Sequence, residues 1–101
     1  MPKVLSMECE KWANRELKRL AQTTTARRVK IEPKPPAQFI GRIRIPLNDE
    51  LVLPEPLWKE HWAVLADGLV RDEIHPNGLP MPVYRSKFQF EDALTFTVQN
   101  I

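Results

Sequence analysis

The chain has a single cysteine, only three glycines and no long apolar run in its 101 residues. Cys9 by itself closes no internal disulfide, so the fold does not rest on oxidation and a reducing, cytoplasmic setting is expected. The longest purely apolar run, residues 62–66, is far short of the roughly 20 residues that a membrane helix needs. The first residues reach only Val4-Leu5 before turning polar, unlike the apolar centre of a secretory signal, so secretion is not expected. Gly41, Gly68 and Gly78 stand far apart, which excludes a glycine-rich loop that would cradle a phosphate. Catalytic signatures are lacking as well. Ser6, Cys9 and Ser86 have no histidine beside them in sequence to act as base. His61 and His75, taken with Glu60, Asp67, Asp72 and Glu73, match no metal-ligand spacing. No enzyme, cofactor, metal or small-molecule substrate is therefore expected.

What the chain has in quantity is proline and a divided charge. Ten prolines are about twice the usual share, so the irregular segments should be stiff and extended. The formal charge of +2 hides a dipole. Residues 1–45 hold eleven Lys and Arg against four carboxylates, a net +7, and residues 46–101 hold four against nine, a net −5. A basic end of this kind favours polyanions or acidic protein faces.

The spacing predicts a first helix over 5–22, with Ser6 as N-cap and Glu8 and Glu10 near the positive end of its dipole. Leu5, Cys9, Trp12, Ala13, Leu17 and Leu20 form its apolar stripe. Lys11, Arg15, Lys18 and Arg19 form a basic stripe beside it, bordered by Trp12. Residues 26–37 read as an extended arm, because Pro33, Pro35 and Pro36 forbid a helix and push their predecessors towards extended geometry. That arm adds Arg27, Arg28, Lys30 and Lys34 to the basic surface. Alternation predicts a strand over 39–45, a turn at Asn48-Asp49-Glu50 and a short strand over 51–53.

A second helix is predicted over 56–67, started by Pro56 and stopped by Gly68, with Trp58, His61 and Trp62 on its buried face. His61 there is a packed histidine with one hydrogen-bond partner, and His75 before Pro76 is a turn residue. Residues 71–82 read as loop. Two closing strands are expected around Phe88 and Phe90 and over 94–98, joined by a turn at Glu91-Asp92-Ala93.

The stretch Gly41-Arg42-Ile43-Arg44-Ile45-Pro46 resembles the Gly-Arg-Ile-x-Ile-Pro segment of AbrB-type swapped-hairpin DNA-binding domains. The resemblance covers six residues, and residues 47–54 depart from that pattern by forming a turn and a strand before any helix begins. No binding residue is carried over from it.

The expected fold is α+β in three parts: a basic N-terminal helix (1–25), a Pro-rich extended arm (26–37), and a compact domain (38–101) with a small antiparallel sheet around one Trp-rich helix. The expected function is that of a non-enzymatic structural or accessory subunit of a larger assembly, of virion or ribonucleoprotein type. Its contact residues would be Lys11, Trp12, Arg15, Lys18, Arg19, Arg27, Arg28, Lys30 and Lys34. The alternative is a small nucleic-acid-binding regulator that uses the same basic surface without sequence preference. A third reading is a small inhibitor of a host enzyme.

Overall fold

The first helix, α1 (Cys9–Leu20), carries an acidic residue in its first turn and Lys18 and Arg19 in its last, as the helix dipole favours. The computed structural model that shows it describes residues 9–54 and 57–99, the side chain of Cys9 excepted, so the predicted N-cap Ser6 lies outside the described residues. Behind α1 stands an antiparallel sheet in the order β5-β4-β1-β6. Its strands are β1 (Ala26–Pro33), β4 (His61–Ala66), β5 (Leu69–Arg71) and β6 (Leu94–Val98). A separate ribbon pairs β2 (Ile43–Arg44) with β3 (Leu51–Val52), and a short helix, α2 (Met81–Ser86), precedes the 3-10 turn Glu91–Ala93. The fold is thus α+β, with a small antiparallel sheet and one main helix.

Two predicted elements changed identity. Residues 26–33 are β1, an inner strand paired on both sides, with Val29 opposite Ala63 of β4 and opposite Val98 of β6. The prolines start only at the end of this strand, and Ala26 is buried on the α1 side while Val29 and Ile31 are buried on the opposite face. The extended geometry was right, but it lies inside the sheet instead of on an arm. Residues 61–66, predicted as helix, are β4. This strand has apolar layers on both faces, so its residues run apolar without alternation, which period alone does not separate from a buried helix. The stop assigned to Gly68 is a hairpin. Asp67 and Gly68 both have positive φ (55° and 77°) and link Ala66 to Leu69 as the two-residue turn that suits antiparallel strands.

The remaining differences are smaller. Of the predicted strand 39–45 only Ile43–Arg44 is paired, and the region of similarity to AbrB-type domains forms a two-stranded ribbon within this chain. Phe88 makes only an isolated bridge to Ile43, and the predicted loop 71–82 contains the end of β5 and the start of α2.

The sheet separates two apolar layers. On one side Ala13 and Leu20 of α1, with Trp12 and Leu17 beside them, pack on Ala26, Trp62, Val64 and Ala66. On the other, Val29, Ile31, Ala63 and Val70 meet Ile40, Ile43, Trp58, Tyr84, Phe88 and Leu94. Thr24 Oγ1 donates to Asp67 Oδ1 at 2.7 Å and ties the end of α1 to the β4–β5 turn.

Gly41 is a local constraint on this second layer. Its φ is +89°, and a Cβ built there would lie 2.7 Å from Phe90 Cδ2. Gly41→Ala is expected to cost about 1–3 kcal/mol, mostly from the strained backbone, because the half-exposed Phe90 ring has room to move. Urea denaturation checks this, and an unchanged midpoint would mean that the 39–42 segment tolerates another path.

Candidate functional site

The most concentrated chemistry lies inside the second layer. Asp72, just past β5, receives five donors. His61 Nε2 from β4 lies 2.9 Å from Oδ2, and Tyr84 Oη from α2 donates to the same oxygen at 2.8 Å. The other oxygen takes His75 Nδ1 at 3.2 Å, the backbone N–H of Ile74 at 2.9 Å and that of His75. A carboxylate is an acceptor only, so the ring nitrogens facing it carry the protons, and each tautomer follows from that contact. Trp58 stacks on the His61 ring, with centroids 4.1 Å apart and planes 13° from parallel.

Burial pushes the Asp72 carboxyl upward and is the largest single influence. Hydrogen bonds from His61 and His75, with the attraction of the same rings, together outweigh it and hold the group well below the ordinary carboxylate range. Asp72 thus stays ionised while fully buried.

In an open cleft this set would be an acid–base array. Here Asp72, His61 and Tyr84 are 0% exposed and His75 is 6% exposed, so the set is enclosed within the layer and does not line an open cleft. The arrangement instead pins β4, the turn after β5 and α2 to one point. Among the described residues no group of three or more His, Cys, Asp or Glu is placed to hold a metal ion. The expected packed His61 is found, on a strand in place of a helix. His75 does occupy a turn, yet its ring also serves the carboxylate. The shared role of Asp72 and Tyr84 escaped the sequence reading, and the only local sign was the spacing of Asp72 and His75 around a turn.

The surface residues predicted for partner contact fall into two groups. Lys11, Arg15 and Lys18 stand exposed on the outer face of α1, with no ion pair among the described residues. Arg19 is exposed beside them but engaged by Glu16 through Nε at 3.0 Å and through Nη2. That hydrogen bond holds the Glu16 carboxyl below its ordinary range.

The others are drawn inward or apart. Trp12 is half-buried against the α1 layer. Arg28 donates to Asn14 Oδ1 at 3.1 Å and lies 4.7 Å from the Trp62 ring centroid. Lys30 sits between Glu32 and Glu60, at 3.7 and 3.9 Å. Lys34 donates to the Asp92 carbonyl at 3.2 Å, and Arg27 is exposed on β1. The structure therefore brings Lys11, Arg15 and Lys18 together on one surface, and it does not bring the residues of 26–37 into it as an extended arm.

No helix of the described residues is long and apolar enough to cross a membrane. Compared with known proteins, the chain matches no protein-family model, no curated protein sequence and no solved structure.

Proposed function

We propose that the protein is a non-enzymatic accessory subunit of a larger assembly, working in the cytoplasm, and that it docks onto an acidic protein surface through the outer face of α1. The observation that carries this reading is the row Lys11, Arg15 and Lys18, exposed and without internal counter-charges among the described residues. The opposite face of the same helix is fastened to the sheet by Ala13, Leu17 and Leu20, so the three cations are presented on a rigid support. Pre-ordered charges lose less entropy when they meet a partner, and complementary charge speeds and selects the encounter. The buried Asp72 centre supports the same reading, since it serves cohesion and leaves the surface to do the work.

The test is the triple variant Lys11→Gln, Arg15→Gln, Lys18→Gln, compared with the parent for co-purification with native partners and for titration against duplex DNA. The expected result is lost co-purification with an unchanged circular dichroism spectrum. DNA affinity of the parent should be weak and sequence-blind, with a log–log salt slope no steeper than about −3 for three phosphate contacts. Unchanged co-purification by a folded variant would remove α1 from the interface. Tight, sequence-selective DNA binding at physiological salt would instead favour a nucleic-acid-binding regulator.

A further inference from the structure

The two edges of the main sheet are finished differently. At the β5 edge, Val70 and Leu79 exchange backbone bonds of 2.7 and 2.9 Å, so the segment before α2 caps that side. The β6 edge has no such cap among the described residues. Its orientation follows from the bonds Gln99 N–H to Arg28 O and Lys34 N–H to Ala93 O, which belong to one register with Lys30 opposite Thr97. In an antiparallel pair the hydrogen-bonding residues alternate, so Thr95 and Thr97 turn their backbone groups to β1 while Leu94, Phe96 and Val98 turn theirs outward. Leu94 N–H is occupied by the Glu91 carbonyl. The N–H and C=O of Phe96 and Val98 find no partner among the described residues.

An exposed edge is normally blunted by charge, proline or a bulge. The β6 sequence Leu-Thr-Phe-Thr-Val contains no charge or proline, and its register with β1 runs without a bulge. We infer that the β6 edge is a self-association surface, on which a second copy of this chain adds its own β6 antiparallel. The occupant is a second copy because the edge is complementary to itself. With Thr97 on the two-fold axis, Phe96 of one copy faces Val98 of the other, twice over, and all four free groups on each copy are used. The same register sets aromatic against β-branched side chains on one face and Thr97 against Thr97 on the other, pairs that sheets favour.

The competing symmetric register, with Phe96 on the axis, fits less well. It calls on the Leu94 N–H that is already taken, and it brings together two Arg85 guanidiniums, each 5.1 Å from a Phe96 ring centroid. Because the β5 edge is capped, pairing closes at two copies and gives an eight-stranded sheet, not a filament. The surface is separate from the α1 row and does not depend on the docking reading. The strand is short and the join is below the standard interface size, so dissociation constants on the order of 10–100 μM are expected.

Sedimentation equilibrium from about 5 μM to 1 mM, with amide exchange followed in the same samples, tests the inference. A monomer–dimer equilibrium is expected, and the Phe96 and Val98 amides, fast in the monomer, should slow as concentration rises. Val98→Pro deletes only an outward N–H and should abolish the dimer, with circular dichroism reporting that the monomer stays folded. Thr97→Glu keeps the test alive if that proline unfolds the chain. Its carboxylate would sit beside Lys30 in the monomer but opposite itself across the axis, and should weaken association about tenfold. Mixing Thr97→Glu with Thr97→Lys should restore it. A monomer at 1 mM, a dimer indifferent to both variants, or open-ended oligomers would each overturn the inference.

Discussion

Asp72→Ala is expected to remove about 3–5 kcal/mol of folding stability, a large share of the roughly 5–15 kcal/mol that a domain of this size possesses. The substitution deletes the one acceptor shared by two imidazoles, a phenol and two backbone amides, all in a layer that water does not reach. Buried donors that lose their acceptor keep the full cost of leaving water, so the loss exceeds the value of any single bond. Asp72→Asn should lose nearly as much despite its matched shape, because one oxygen becomes a donor pointed at donors. Urea denaturation of both variants measures this, and losses under about 1 kcal/mol would mean that the centre holds little of the fold together.

The same carboxylate sets the acid limb of stability. Its folded pKa lies below the unfolded value of about 3.9, so its contribution is present in full above that value. As pH falls below it, the unfolded chain binds a proton that the folded chain refuses, and stability declines with each further step. Wild type should therefore lose stability more steeply than Asp72→Asn below about pH 4, and parallel acid curves would count against the ionised, buried state.

Ile31→Ala is expected to cost about 2–5 kcal/mol, the range for truncating a fully buried aliphatic side chain. Ile31 is paired on both sides, with His61 of β4 and Phe96 of β6, and it is enclosed by the larger apolar layer. An extended arm lying outside the sheet would make the same change nearly silent, so this position separates the two descriptions of residues 26–33. Leu47→Ala, at a leucine that is 67% exposed, is the control and should stay within about 0.5 kcal/mol. Thermal melts of the pair give a direct comparison, with each kcal/mol worth roughly 4–8 °C in a domain of this length. Equal melting temperatures would remove β1 from the core.

Local patterns were enough wherever one face of an element meets water. The amphipathic spacing of α1 and the alternation of β6 were both legible, because exposure on one side writes a period into the residues. The cationic row Lys11, Arg15 and Lys18 was legible for the same reason. Asp67-Gly68 carried a hairpin signal that a helix stop also satisfies, and only the pairing of Leu65 with Val70 decides between them. β4 and β1 were misread because their identity depends on what lies above and below them: α1 on one face, and Trp58, Tyr84 and Phe88 on the other. Of the Asp72 centre, only the spacing of Asp72 and His75 around a turn was local. His61, Asp72, His75 and Tyr84 are spread over three elements, and no period relates them. By itself, the amino-acid order determined which face of α1 is apolar, which is cationic and that residues 26–33 are extended. Tertiary structure alone decided which segments became the two central strands, β1 and β4, because strand pairing and burial on both faces are properties of neighbours that the chain brings together only by folding.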